Sequence, residues 1–149
     1  MIRLVLFAFL IGAAVATEFK ACKSGPSPIA VRVEGCDSLP CNVVSGTTVS
    51  MEIDFTVGDN DASKLQTKVR ATAFGVTVPY KLPGDIGNVC LHLDNDQECP
   101  LDAGEGATYL FSLPIGKYPE IGVAVEVDIK NQNDQSVSCF IADIKVKSS

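Results

Sequence analysis

The 149-residue chain has no tryptophan, a single histidine and two methionines. Without tryptophan there is no indole to pack on a central inter-sheet bridge, which sets the chain apart from a standard immunoglobulin domain. His92, between Leu91 and Leu93, has no second imidazole and no C-x-x-C pair with which to hold zinc. It reads as a surface or structural histidine rather than a general base. No G-x-S-x-G elbow occurs, and no D-x-D-x-D-G loop with a distal glutamate. The acidic stretches Asp59-Asn60-Asp61 and Asp94-Asn95-Asp96 therefore read as solvated turns, and Gly104-Glu105-Gly106 as loop. No catalytic residue, metal site or cofactor is expected. Basic runs are missing too: 12 Lys and Arg stand against 18 Asp and Glu. Such a surface repels phosphate backbones and anionic membrane faces, so no nucleic-acid partner is expected.

What is present begins at the N-terminus. Arg3 precedes Leu4 to Ala14, eleven residues without a charge, and Ala14-Val15-Ala16 has the small-x-small pattern of a signal-peptidase site. Residues 1–16 are expected to be a cleaved signal peptide, because a membrane-spanning helix needs about 20 apolar residues. No later stretch is long enough, so stable membrane insertion is not expected. Removal of that segment leaves 133 residues, one domain, with eleven basic residues against eighteen acidic and a formal charge of −7. All six cysteines lie in this mature part, which for a secreted chain implies three disulfides. Six cysteines allow fifteen pairings, and spacing alone leaves them open. If the neighbours Cys36 and Cys41 pair, and Cys90 and Cys99 likewise, Cys22 is left to meet Cys139.

The dominant hydropathy period is two. Val49, Met51, Ile53, Phe55 and Val57 alternate with Ser50, Glu52, Asp54 and Thr56, and Ile121, Val123, Val125, Val127 and Ile129 form a second such set. Shorter sets are Ile29, Val31 and Val33, then Tyr109, Phe111, Leu113 and Ile115, and last Phe140, Ala142, Ile144 and Val146. Alternation of this kind marks half-buried antiparallel strands. Between Leu65 and Tyr80 the apolar parity switches from odd to even at Gly75, which suggests a bulge or sharp bend within one strand. No segment longer than a turn or two has a helical stripe. The expected fold is all-β, two packed antiparallel sheets. With 46% hydrophobic residues, the inner faces either close into a dry core or part to line a pocket, and composition leaves both open.

Several stretches, taken in order, narrow the choice. They are Phe19 to Cys22, Val31-Arg32-Val33-Glu34-Gly35-Cys36 leading to Pro40-Cys41, Gly46 to Thr56, and Gly75-Val76-Thr77-Val78-Pro79-Tyr80. Leu113-Pro114-Ile115, Tyr118-Pro119, Val125-Glu126 and Ser138-Cys139 follow. Together they resemble the ML lipid-recognition family, in its Niemann-Pick C type 2-like, arthropod-like branch, over nearly the whole of residues 17–149. The resemblance implies a seven-stranded immunoglobulin-like sandwich with an apolar cavity between the sheets, and the pairing Cys22–Cys139, Cys36–Cys41 and Cys90–Cys99. It places Tyr80, Ile115 and Tyr118 at the cavity mouth. Val49, Met51, Val123, Val127 and Phe140 would line the interior, although each suits plain core equally well.

Three positions depart from the sterol carriers of that family. Val127 and Phe140 stand where those have tryptophans, which implies a different cavity shape. Lys81 stands in place of a second apolar residue and could meet a fatty-acid carboxylate. No N-x-S/T sequon occurs, so the glycan tag for lysosomal delivery is absent and an extracellular location is expected. The implied function is a secreted, monomeric, non-enzymatic carrier of a hydrophobic ligand: a fatty acid, a sterol or a lipid-like semiochemical. A receptor or acceptor protein is its expected partner. An innate-immune lipid sensor is the alternative. A dry sandwich acting only as a protein-binding module is a third reading.

Overall fold

The computed structural model describes residues 16–148, so the expected signal peptide, apart from Ala16, lies outside the described residues. Among them are nine strands: β1 Lys20–Ala21, β2 Ala30–Val33, β3 Cys41–Val44, β4 Thr48–Thr56, β5 Leu65–Ala73, β6 Val76–Tyr80, β7 Gly106–Pro114, β8 Ile121–Asn131 and β9 Ser136–Lys147. Among the described residues helix is confined to one 3₁₀ turn, Val89–Leu91. The strands with long alternating patterns are β4 and β8, and each is the middle of a ladder. β4 pairs with β2 and β7 in a three-stranded sheet, and β8 lies between β5 and β9 in a six-stranded one. The larger sheet runs β1-β9-β8-β5-β6, with β3 also on β9. In both, alternate residues turn inward, so Met51, Ile53 and Phe55 of β4 face Val125, Val127 and Ile129 of β8 across a shared core.

Three details differ from the expectation. The strands number nine rather than seven because β1 and β3, of two and four residues, are stitched to β9 beside disulfides. Neither is long enough to carry a period of its own. β3 also runs parallel to β9, from Cys41 opposite Ile144 to Val44 opposite Lys147, so the larger sheet is not wholly antiparallel. The parity switch at Gly75 is neither a bulge nor a bend in one strand. Phe74 and Gly75 both have positive φ, 52° and 74°, and form a two-residue hairpin turn of the primed kind, which needs positive φ at both central residues. Its flanking residues Ala73 and Val76 are cross-strand partners and so share a face. That is why odd residues of β5 and even residues of β6 point the same way.

All three disulfides have the pairing that the resemblance implied: Cys22–Cys139, Cys36–Cys41 and Cys90–Cys99. The core is graded along the strands. At one end the rings of Phe55, Tyr109 and Phe111 are fully buried, with Tyr109 stacked on Phe111 at 5.1 Å between centroids. The Tyr109 hydroxyl donates to the Ile86 carbonyl at 2.6 Å and accepts from Thr67 Oγ1 at 3.1 Å, a polar pin between β7 and β5. Burial pushes its pKa well above the usual tyrosine range, so it stays a donor. At the other end the strands offer Ala71, Ala73, Val76, Val78 and Val123, with Tyr80 their one ring at the cavity. Small side chains there cannot fill the space between two sheets about 10 Å apart. No helix among the described residues is long and apolar enough to cross a membrane.

Candidate functional site

The unfilled end holds a cavity of about 270 Å³. Its larger wall is the six-stranded sheet: Val69, Ala71 and Ala73 from β5, Val76, Val78 and Tyr80 from β6, Ile121, Val123 and Val125 from β8, and Ile144 and Val146 from β9. The smaller sheet contributes Leu113, and the segment after β7 adds Ile115 and Tyr118. Apart from the two tyrosines, every lining side chain is aliphatic, and none is charged. A void of about 30 Å³ lies deeper, bounded in part by Val49, Met51, Val127 and Phe140. Leu113, Ile115, Val125 and Ile144 border both spaces and form the partition between them.

The residues singled out in the sequence thus divide into three groups. Tyr80, Ile115, Tyr118 and Val123 line the main cavity. Val49, Met51, Val127 and Phe140 line the small void behind the partition, not the main cavity. Lys81 is exposed, one residue beyond β6, and belongs to neither lining. The wall made by Ala71, Ala73, Val76 and Val78 was missed. Its signal was present in the parity switch, which becomes a continuous cavity face once Phe74-Gly75 is read as a reversal.

Tyr80 and Tyr118 supply the polar atoms of the rim. The Tyr80 hydroxyl donates to the Pro114 carbonyl at 2.6 Å and accepts from the Gly116 amide at 3.3 Å. Burial raises its pKa above the ordinary tyrosine value, so the hydroxyl remains protonated and able to donate. The Tyr118 amide donates to Ser45 Oγ at 2.9 Å, and its ring lies against Gly116, where a Cβ would come within 3.0 Å of it. Elsewhere, Cys22, Cys139 and Glu126 bring their ligand-type atoms within 4.8 Å of one another. Metal binding by cysteine needs a thiolate, and these two sulfurs are bonded to each other. His92 faces the Asp85 carboxylate at 3.4 Å, away from the cavity lining. The arrangement is suited to enclosing apolar matter and offers no nucleophile or acid–base pair at the cavity.

Comparison with known sequences places the chain. The profile of the ML domain matches residues 16–146. The protein belongs to the ML domain family. Within that family it is 30% identical over 144 residues to the NPC intracellular cholesterol transporter 2 homolog a of Drosophila melanogaster, covering 94% of each chain. It is 28% identical to the bovine NPC intracellular cholesterol transporter 2, over 95% of this chain and 94% of the relative. The ML sandwich seen here is similar to the crystal structure of a Niemann-Pick type C2 protein from the Japanese carpenter ant. The TM-score is 0.68 at 19% identity, over 95% of this chain and all of the other.

Proposed function

We propose that this ML domain is a secreted, non-enzymatic carrier that shelters a hydrophobic ligand in the cavity between its sheets. The observation that carries the reading is the cavity itself, about 270 Å³ with a wall of aliphatic side chains and two rim tyrosines. Its kinship with proteins named as cholesterol transporters supports the same class of ligand: fatty acid, sterol or lipid-like semiochemical. Enclosing an acyl chain yields about 0.8 kcal/mol per methylene removed from water, against association costs of roughly 4–15 kcal/mol. A chain of about fourteen methylenes thus gains roughly 11 kcal/mol, enough to offset all but the upper end of that cost without any charged contact. In this reading Tyr80, Ile115 and Tyr118 form the mouth and Val123 the wall. Val49, Met51, Val127 and Phe140 form a reserve of space reached by displacing the partition. Cleavage after Ala16 and three disulfides suit an extracellular location.

A second reading, a lipid sensor that presents its ligand to a receptor, draws on one feature. Val76, Val78 and Tyr118 are 62%, 51% and 48% exposed beside the cavity, an apolar rim that a protein partner could cover.

Native mass spectrometry of the protein as secreted, followed by extraction, tests the carrier reading. A co-purifying lipid is the expected result. A protein that emerges empty and takes up neither a fluorescent fatty acid nor a fluorescent sterol overturns both readings. Lys81→Ala tests the headgroup contact. A fatty acid is expected to lose more affinity than the matching alcohol, and equal losses remove Lys81 from the site.

A further inference from the structure

We propose that the Tyr80 hydroxyl is a latch between the two sheets that sets how fast the cavity opens. The kinetic part of this inference rests on the carrier reading. Tyr80 ends β6, the edge strand of the larger sheet, and Pro114 ends β7 of the smaller one. The hydroxyl reaches across the cavity rim, giving its proton to Pro114 O and taking that of Gly116 N–H. These two hydrogen bonds join β6 to residues 114–116, and the Tyr118 side chain also lies within hydrogen-bonding reach of Tyr80. The other bonds of this segment face the opposite way, to the β3–β4 turn: Ile115 N donates to Thr47 O at 2.8 Å, Gly46 N to Gly116 O at 3.2 Å and Tyr118 N to Ser45 Oγ at 2.9 Å. Residues 115–118 are thus bonded on one side to the β3–β4 turn and on the other to the Tyr80 phenol.

The strand on the latch side suits a moving part. β6 is hydrogen-bonded along one edge only, to β5, and Pro79, which has no N–H, precedes Tyr80. Segments with few backbone bonds and little buried area open at low free-energy cost. Val78 and Ile115, which line the cavity beside Tyr80, have only apolar side chains and add no directed bond across the rim. A ligand passing between Tyr80 and residues 114–116 must therefore break two hydrogen bonds on its way in and the same two on its way out, and they re-form behind it.

Tyr80→Phe removes one oxygen and keeps the ring. Stopped-flow mixing with a fluorescent fatty acid is expected to show uptake and release both faster, each by about tenfold, the scale of two neutral hydrogen bonds. The affinity is expected to change less than either rate. A contact made to the ligand alone would speed release and leave uptake as it was, and that result overturns the latch. Hydrogen exchange on the ligand-free protein gives a second readout. The Gly116 amide is expected to exchange faster in Tyr80→Phe, with Val127 in the β8–β9 ladder unchanged as the control for global opening. Unchanged Gly116 protection overturns the latch. If the wild-type protein takes up no lipid, the carrier reading fails, and the Gly116 exchange alone decides whether Tyr80 holds the segment closed.

Discussion

Phe74 breaks two local rules at once. It is 92% exposed, and its φ of 52° lies in the left-handed region, where a side chain meets its own carbonyl and the cost is about 1–2 kcal/mol. Asparagine relieves that cost through local hydrogen bonding, and Asn-Gly is the preferred pair for a two-residue turn of this type. Because the ring buries almost nothing, its loss takes away little. Phe74→Asn is therefore expected to raise unfolding stability by about 1 kcal/mol, measured as a higher denaturant midpoint at constant slope. A lower midpoint would show that the ring packs in solution. The same residue explains why the hairpin was hard to read. Phe-Gly lacks the composition of a primed turn, so only the change of apolar parity betrayed the reversal, and a parity change alone does not separate a bulge from a turn. Tyr80, Ile115 and Tyr118 were singled out by the resemblance to the ML family, and all three line the cavity. The alanines and valines of the cavity wall carry no chemistry that distinguishes a lining residue from a core residue. Whether two faces touch or part depends on side-chain volumes summed across both sheets.

Among the elements, the three-stranded sheet shows what a strand pattern does and does not disclose. Alternation in β4 put Glu52 and Asp54 on its outer face, as found. That Arg32 of β2 would lie opposite Glu52 depended on register, which non-local pairing sets. Arg32 holds Asp54 through two bonds, Nη1 to Oδ2 at 2.7 Å and the second Nη to Oδ1 at 2.9 Å, while its Nε meets Glu52 at 2.9 Å. Thr108 of β7 adds a third donor to Asp54 at 2.7 Å, so one carboxylate joins all three strands. The Arg32 guanidinium, helped by Thr108, holds the Asp54 carboxyl below its ordinary 3.8, against the opposing effect of burial. A depressed folded pKa stabilises the sheet above the unfolded value, and this stability is lost as pH falls from about 3.8 through the folded value. Asp54→Asn is expected to be less stable than the wild type at neutral pH, with the gap narrowing at about pH 2. Denaturant unfolding at both pH values checks this, and a gap that stays constant would show that the pair does not govern the acid limb.

At the scale of the whole molecule, side-chain size divides the sandwich into an end filled by aromatic rings and an end that holds the cavity, and the longest disulfide lies toward the filled end. The sandwich class and the three pairings followed from strand period, cysteine positions and family resemblance. The direction in which the wedge opens did not, because it depends on which ends of β5, β7 and β8 lie together. Cys22–Cys139 bridges residues 117 apart and ties β1 to β9 near the buried rings, whereas the β9 residues that line the cavity, Ile144 and Val146, lie further along the strand. In the loop-entropy account, closing so long a loop contributes about 5 kcal/mol, a large part of the roughly 5–15 kcal/mol by which a domain is stable. Cys22→Ser with Cys139→Ser is accordingly expected to lower the unfolding free energy by several kcal/mol. Hydrogen exchange should quicken in β1 and the first half of β9 well before it changes at Gly116 on the rim. If the rim loosened first, the staple would be acting on the mouth, and the division between a clamped end and a working end would be wrong. Faster exchange at the closed end, with lipid uptake by the folded fraction retained, would show that the long disulfide steadies that end and that the cavity takes up lipid independently of it.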